Sequence, residues 1–437
     1  MRTSPGAFAF GFGIVTLVGL VSRAPSQTPS SSDWLSLLPD GPTKRQFILD
    51  CTGCHQFDGP RALKDGRPRS EAEWKEATAR MLGFAGPNTG FPVISSAQNA
   101  DSTAAWLVRN LGARTPRARS GDSASPRVTE FLFPVGEDLP HDLAVDSSGN
   151  VVVTGMFSDA MYTLIPGIGS WQRTAIPVEN ANPRSLDIDG RGRWWVVLGA
   201  PGKVGRFEGR EWTFYDIGLY AHSVALGPNG TVYANGHFTR DPEQIVEVTA
   251  DGVVRAHDLT RHPELATRPG GPIPYEIRTA PDGRVWMSEL VGNRIVVLDP
   301  ATGASEAFTL PTPHSGPRRF DVDAHGVLWI PAYGAGLLVR FDPGTRRFEE
   351  IALPIKDAAP YVARVDARSG LVWIGTGAAD AVFSYDPATR RFSTFHLPSH
   401  GALVRHLDID PRTGDVWLAY GESPGKIPAR IARLRTR

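Results

Sequence analysis

The sequence predicts an all-β seven-bladed β-propeller preceded by a small all-α domain. The chain of 437 residues contains 46 Gly and 37 Pro, which indicates frequent turns. One unit of 38 to 53 residues recurs seven times after residue 128, and the preceding segment carries helical patterns instead. Because 46 basic residues balance 46 acidic ones, no nucleic-acid partner is expected.

The first 24 residues have the pattern of an export signal. Arg2 precedes an apolar stretch at residues 7–21, which has the length of a signal-peptide core and is short for a membrane span. Residues 25–39, rich in Pro and Ser, are predicted to be a linker. We therefore expect a periplasmic or otherwise exported protein, which is membrane-anchored only if residues 1–24 stay uncleaved.

Residues 40–113 are predicted to form the small helical domain. Helices are expected over residues 43–54, 70–82 and 95–111, and the second of these begins with a capping box. Residues 114–127 are polar and rich in Arg, Ser and Pro, so they are predicted to be an interdomain linker that permits relative motion of the two domains.

Both cysteines of the chain lie in the segment Cys51-Thr52-Gly53-Cys54-His55. This spacing lets two thiols form thioethers with a haem while His55 supplies an axial nitrogen to the iron. A redox disulfide or half of a zinc site has the same cysteine spacing. A redox pair would need a βαβ context, however, and zinc would need further Cys or His, whereas the next histidine is His141. The segment therefore predicts one covalently bound haem c.

The second axial ligand is predicted to be Met81, the only methionine between residues 2 and 155. The alternative is that Met81 packs in the core with Trp74 and leaves the iron five-coordinate. The Cys51–His55 helix end, the pair Arg80-Met81 and the helix at residues 104–111 together resemble short c-type cytochrome modules. That resemblance implies a cytochrome c-like domain that transfers electrons.

The repeated unit places a large apolar residue three positions after a turn glycine. Alternating strands flank each copy, so each unit is predicted to be one four-stranded blade. The large residues are Val152, Trp195, Tyr233, Trp286, Trp329, Trp373 and Trp417.

The ends of the repeated region predict a closed ring. An extra strand at residues 129–134 precedes the first unit, and the last unit lacks its own outermost strand. The N-terminal strand is therefore expected to complete the seventh blade, so that residues 128–435 form the propeller. An open solenoid, the alternative, would leave two bare strand edges.

One sequence column is predicted to line a mouth of the central channel. It holds the first residue of each innermost strand, eight places before the turn glycine and nine in the last two units: His141, Arg184, His222, Tyr275, Arg318, Tyr361 and Arg405. Converging positive charge favours an anionic or carbonyl-bearing ligand. The alternative is a solvated ring whose members pair with neighbouring carboxylates, among them Asp142, Glu276 and Glu289.

The repeat resembles the streptogramin (virginiamycin B) lyase family of seven-bladed propellers, most closely at residues 274–277, 286–289 and 292–295. The resemblance covers residues 128–434. It implies Mg²⁺-dependent elimination that opens a cyclic depsipeptide at its ester, with metal-binding and general-base His and Glu in the last two blades. Tyr361 and Arg405 stand where that family has two histidines, so only the fold is carried over.

We interpret the chain as an exported c-type haem protein for electron transfer whose propeller binds a small-molecule substrate or a redox partner protein. Turnover of that substrate would make it a periplasmic oxidoreductase. The alternatives are a Mg-dependent C–O lyase that carries a haem appendage and a non-catalytic ligand-sensing propeller. The longest interval between units includes residues 241–274, which are expected to be a lid over the mouth or a surface decoration.

Overall fold

A computed structural model describes residues 28–95, 98–118, 123–238, 241–423 and 428–436 of the chain. The expected export signal at residues 1–24 lies outside the described residues. Within the described ranges, no helix combines the length and the apolar character that crossing a bilayer requires.

Short helices and one hairpin form the N-terminal domain. Its elements in the described residues are α1 (Ser31–Leu35), α2 (Pro42–Cys51), α3 (Gly59–Ala62), β1 (Leu63–Lys64), β2 (Arg67–Pro68), α4 (Glu71–Ala85) and α5 (Ala100–Leu111). α4 begins with the expected capping box between Ser70 and Glu73. α5 begins five residues later than predicted, because Asn99 Oδ1 accepts hydrogen bonds from the first free amides of the helix.

Part of the segment predicted as the first linker is folded. Trp34 and Leu35 of α1 are buried in an apolar cluster that also contains Tyr333 and Tyr361 of the propeller. The helical domain therefore begins at α1 rather than at residue 40. The shared cluster also fastens the two domains together, which differs from the relative motion that the polar linker suggested.

Seven four-stranded antiparallel sheets form the propeller. The strand that precedes the first blade is β3 (Val128–Leu132). Blade 1 has β4 (Pro140–Val145), β5 (Val151–Gly155), β6 (Ala160–Ile165) and β7 (Ser170–Ala175). Blade 2 has β8 (Pro183–Ile188), β9 (Trp194–Leu198), β10 (Lys203–Glu208) and β11 (Glu211–Asp216). Blade 3 has β12 (Ala221–Leu226), β13 (Val232–Gly236), β14 (Gln244–Val248) and β15 (Val254–Asp258).

The remaining blades follow the same order from the channel outward. Blade 4 has β16 (Pro274–Thr279), β17 (Val285–Glu289), β18 (Arg294–Leu298) and β19 (Ser305–Thr309). Blade 5 has β20 (Asp321–Val322), β21 (Leu328–Ala332), β22 (Leu337–Asp342) and β23 (Arg347–Ala352). Blade 6 has β24 (Pro360–Val365), β25 (Val372–Thr376), β26 (Ala381–Asp386) and β27 (Arg391–His396). Blade 7 has β28 (Val404–Ile409), β29 (Val416–Tyr420) and β30 (Arg430–Leu434), and β3 completes it.

The N-terminal strand closes the ring as predicted. β3 pairs antiparallel with β30, with Val128 opposite Leu434 and Phe131 opposite Ile431. The strand before the first blade and the last strand of the chain thus share one sheet, and this shared sheet closes the ring. The seven-bladed all-β architecture is confirmed.

Residues 241–274, predicted to be a lid or a surface decoration, contain two regular strands of blade 3 and a loop that faces the helical domain. Their first half contains β14 and β15, which are ordinary outer strands of the blade. The loop that follows approaches the helical domain so closely that a Cβ on Gly270 would lie 2.4 Å from the carbonyl oxygen of Pro92. This loop therefore contributes to the contact between the two domains.

Candidate functional site

β-Bulges place the predicted column at the mouth of the channel. In six blades the pairing of the innermost strand with its neighbour shifts register at the strand start. The shift leaves the column residue unpaired, as with Arg184 in β8 and Arg405 in β28. In blade 5 the innermost strand is short, and Arg318 precedes it. Because a bulge re-aims the side chain of its extra residue, the repeated bulge points these residues into one space.

The mouth and the helical domain line a partly open cavity of about 190 Å³. All seven predicted column residues line it, together with His237. The helical domain contributes Gly53, Cys54, Phe84, Phe91 and Val93. The remaining wall consists of Leu139, Met156, Asn182, Tyr220, Leu290 and Ser423. The structure thus unites the mouth predicted from the repeat with one cysteine of the haem motif, whereas Cys51, His55 and Met81 are not part of this wall.

The propeller holds the loop that connects the two cysteines. Arg405 donates to the carbonyl oxygens of Cys54 at 2.7 Å and Gly53 at 3.2 Å, and the Ser423 amide donates to Cys54 O at 2.9 Å. A Cβ on Gly53 would lie 2.6 Å from a guanidinium nitrogen of Arg318, so the small residue permits this approach. The position of the motif is therefore fixed by the channel mouth as well as by its own helix.

The motif itself carries two free thiols and one neutral imidazole. Burial raises the pKa of the Cys51 thiol well above its usual range, and the nearby Asp50 adds to the effect. Burial, and then the positive charge of Arg61, lower the pKa of His55. With its Nδ1–H donating to the Gln56 carbonyl oxygen at 3.2 Å, His55 presents an unprotonated Nε2.

Met81 is half-buried on α4. Trp74, on the same helix, is buried in the domain core, where its ring stacks with Phe57 at a centroid distance of 6.1 Å. Phe84, one turn after Met81, reaches the cavity. Across the described ranges, no cluster of three or more His, Cys, Asp or Glu side chains has an arrangement that could hold a metal ion.

The three arginines of the mouth have only neutral partners in the described structure. Arg184 donates through Nε to Asn182 Oδ1 and lies over the rings of Phe91 and Tyr220. Arg405 donates to carbonyl oxygens and to the Tyr361 hydroxyl.

Arg318 lies inside an aromatic cage. Its guanidinium carbon is 4.0 Å from the ring centroid of Tyr333, 4.4 Å from Tyr361 and 5.0 Å from Tyr275. Arg318 donates to the Tyr275 hydroxyl at 2.7 Å, while its Nε has no hydrogen-bond partner. Aromatic faces attract a cation without neutralising it.

Two tyrosine hydroxyls of this cage share a hydrogen bond, Tyr275 with Tyr361. Burial favours the neutral phenol of Tyr361, but Arg318 and Arg405 outweigh it and lower the pKa of Tyr361 to about 8. Burial raises the pKa of Tyr275. The mouth therefore holds Tyr361 close to ionisation at neutral pH, and the field of the unpaired arginines is the cause.

Below the mouth, the arginines of a second layer form salt bridges with carboxylates. Arg319, with no exposed surface, contacts Asp142 at 2.9 Å and Glu276 at 3.5 Å. Arg364 and Arg278 also contact Glu276, at 3.0 and 2.8 Å.

The alternative for the ring, pairing of its members with neighbouring carboxylates, is therefore not observed. Asp142 and Glu276 bind arginines of the lower layer, and Glu289 binds Arg294 at 2.7 Å. The column residue and the next residue of the strand serve different layers, because the bulge separates them.

Sequence reasoning missed a second set of lining residues. His237, Met156 and Leu290 follow the second strand of their blades, and each lies seven places after the turn glycine. Tyr333 of the aromatic cage has the same offset. Reading that column of the repeat would have found them.

Comparisons with solved structures bear on the propeller. A virginiamycin B lyase from Staphylococcus aureus superposes with a TM-score of 0.61 at 20% identity, covering 71% of this chain and 99% of that one. A streptogramin B lyase structure gives 0.60 at 20% identity, covering 70% of this chain and 97% of that one. The domain is a streptogramin lyase-like β-propeller. No protein-family model and no curated protein sequence matches the chain.

The streptogramin lyase-like propeller is also similar to a structure with a bound peptide. The structure described as YCF48 bound to D1 peptide gives a TM-score of 0.57 at 12% identity, covering 73% of this chain and 99% of that one. Identities this low show the fold alone.

Proposed function

We propose that this protein is an exported c-type haem protein in which Cys51 and Cys54 attach the haem, His55 is an axial ligand, and the propeller mouth binds the substrate or partner that exchanges electrons with it. The observation that carries the proposal is that Gly53 and Cys54 of the motif line the mouth cavity, where Arg405 binds their carbonyl oxygens. Bound there, the haem would supply reversible one-electron chemistry at its iron.

The donor set fits this group. Both thiols are free, and the neutral His55 offers an unprotonated Nε2, as a metal ligand must. The wall on the helical side is apolar, with Phe84, Phe91 and Val93 beside Cys54. The cavity is smaller than the roughly 300–1,000 Å³ of common ligand pockets, so a haem attached at Cys54 would extend beyond it.

The other interpretations of the two cysteines are less consistent with this environment. A redox-active disulfide depends on a thiol whose pKa is depressed, and burial shifts the pKa of Cys51 in the opposite direction. A structural zinc ion would need four ligands, and the described residues offer no such cluster.

Met81 is proposed as the second axial ligand. It precedes Phe84 by one helical turn, so it lies on the side of α4 from which the cavity is reached. A sulfur ligand at this position would favour electron transfer over ligand binding at the iron.

The lyase alternative is less well supported. Besides the replacement of two family histidines by Tyr361 and Arg405, the carboxylate at the end of the last blade is engaged elsewhere. Glu422 contacts Arg61 of the helical domain at 2.6 Å and accepts a hydrogen bond from the Gln56 amide. A lyase would show streptogramin cleavage that EDTA abolishes and that the change Cys51→Ser leaves intact.

The test is a visible spectrum of the exported, matured full chain. We expect a pyridine haemochrome that survives acid-acetone extraction, because thioether bonds hold the haem, and its loss in Cys51→Ser/Cys54→Ser. Candidate small substrates and periplasmic fractions are then added without oxygen, and reduction of the haem is recorded.

Three outcomes separate the alternatives. Reduction by one fraction supports electron transfer and identifies the reductant. A covalent haem that nothing reduces favours the ligand-sensing interpretation, and a chain without covalent haem contradicts the proposal.

Met81→Ala should increase carbon monoxide binding to the reduced iron severalfold if Met81 is axial, whereas His325→Gln on the exposed surface should leave this binding unchanged.

A further inference from the structure

The positive charge of the mouth is uncompensated, in contrast to that of the arginines in the layer below it. Arg184, Arg318 and Arg405 keep only 3–4% of their surface exposed, yet none contacts a carboxylate in the described structure. No Asp or Glu is among the described residues that line the cavity. Burying a cation without a counter-charge is costly, so three arginines in one cavity favour the binding of an anionic ligand.

The lower layer is a control within the same molecule. Arg319 and Arg364 are buried to a similar extent, and each has a carboxylate oxygen within 3.0 Å. The buried arginines of this layer therefore have carboxylate counter-charges. The unpaired ones are confined to the wall of the cavity.

Donor groups remain available in the cavity. Arg184 donates only through Nε, which leaves both terminal nitrogens without a protein partner in the described ranges. A planar oxyanion can accept from two guanidinium nitrogens at once, and aromatic rings around it exclude water.

We infer that the mouth cavity binds a carboxylate or another oxyanion through Arg184, Arg318 and Arg405. One source is a free small organic anion, for which about 190 Å³ is sufficient room. The other is a propionate group of the haem, and only this second source rests on the proposed function. Both sources share the chemistry that the arginines recognise.

The histidines of the wall are neutral, which is consistent with the inference that the arginines alone supply the positive charge. Burial, followed by nearby positive groups, keeps the pKa of His141, His222 and His237 well below the usual range. Each holds its Nδ1 near a backbone carbonyl oxygen, at 2.6, 2.6 and 3.1 Å. They add polar surface without adding charge, so the arginines carry the anion selectivity.

The experiment is calorimetric titration of the matured full chain with succinate and with inorganic phosphate at low salt. The same titrations use the haem-free Cys51→Ser/Cys54→Ser chain. Arg184→Gln is the test variant, because Arg184 has the fewest protein partners, and Arg184→Lys retains the charge. Arg346→Gln, which removes a surface arginine that contacts Glu306, is the matched control.

A free anion predicts that the matured chain binds succinate or phosphate, that Arg184→Gln weakens binding at least tenfold, and that Arg346→Gln does not. A haem propionate predicts binding only by the haem-free chain. It also predicts a lower haem midpoint potential in Arg184→Gln than in the parent, because losing a positive charge favours the ferric state.

The inference is overturned if neither chain binds either anion and the potential is unchanged by Arg184→Gln. Failure of the proposed function is recognised separately, since a chain without haem in the pyridine assay still reports on anion binding. Arg184→Lys distinguishes lost charge from lost folding, because it should retain most of the binding.

Discussion

At the scale of single residues, the bulge residue and its successor explain how one strand serves two layers. Arg405 reaches up to the carbonyl oxygens of Gly53 and Cys54, while His406 lies below and contacts Asp142 at 2.9 Å and Arg364 at 2.6 Å. Simple alternation would have placed His406 on the opposite face of the strand. The extra residue changes the register and brings both side chains to the channel.

His406 is expected to make the stability of the propeller depend on pH. Burial lowers its pKa from 6.5 to about 4, although Asp142 opposes the shift, and Arg364 and Arg319 support it. The unfolded chain binds this proton near pH 6.5 and the folded chain only near 4, so the stabilisation is present above 6.5 and is lost as the pH falls to 4.

The measurement is the free energy of unfolding of the parent and of His406→Gln between pH 7 and 4. The parent should lose up to about 3 kcal/mol more than the variant over this range. His325→Gln, at an exposed position, is the control and should follow the parent. Parallel pH profiles for the parent and His406→Gln would contradict the assignment.

At the scale of elements, a turn aspartate in two blades accepts a hydrogen bond from the large tryptophan of the blade. In blade 2 the indole Nε1 of Trp195 donates to Asp189 at 2.9 Å, and in blade 5 that of Trp329 donates to Asp323 at 3.1 Å. Both carboxylates lie six residues before the tryptophan. Blade 4 has Ala280 at this position, and the buried Nε1 of Trp286 has no partner.

Ala280→Asp is therefore expected to stabilise the protein. The turn around Ala280 has the same backbone hydrogen bond as its counterparts, from the Ala280 amide to the Arg284 carbonyl oxygen at 2.8 Å. Satisfying a buried donor should raise the free energy of unfolding by about 1 kcal/mol, measured by chemical denaturation. In a Trp286→Phe background the gain should disappear, and a gain that persists there would show that the indole is not its cause.

At the scale of the whole molecule, the helical domain and the propeller form one unit. They share an apolar cluster, and polar contacts surround it: Lys44 with Asp357 at 2.7 Å, and Arg61 with Glu422 at 2.6 Å. The helical domain covers the mouth, so it determines what reaches the cavity. A ligand bound at the mouth would therefore affect the Cys51–His55 motif through Arg405, which contacts the carbonyl oxygens of Gly53 and Cys54.

Thermal unfolding should consequently show one transition. The helical circular dichroism signal and the β-sheet infrared band are expected to change at the same temperature, because neither domain buries the shared cluster alone. Two separated transitions would contradict this.

A double-mutant cycle on Arg61→Ala and Glu422→Ala should give a coupling free energy of about 1–3 kcal/mol, well above that of the exposed pair Arg67 and Glu73.

The local pattern of the sequence was sufficient for much of this architecture. Turn glycines, the large residue three places later and the spare strand before the first blade predicted seven blades and their closure, because strand pairing and ring closure depend on repeated short-range signals. The column that lines the mouth followed from the same repeat. Covalent haem attachment at Cys51–His55 was also inferred from five consecutive residues, and it stays a prediction.

The tertiary structure alone decided where these parts meet. The docking of the helical domain over the mouth, the folding of α1 in a segment that looked like a linker, and the separation of paired from unpaired arginines all depend on contacts between residues hundreds of positions apart. No local pattern encodes such contacts. Their energy comes from shape and charge complementarity that exists only once both domains have folded.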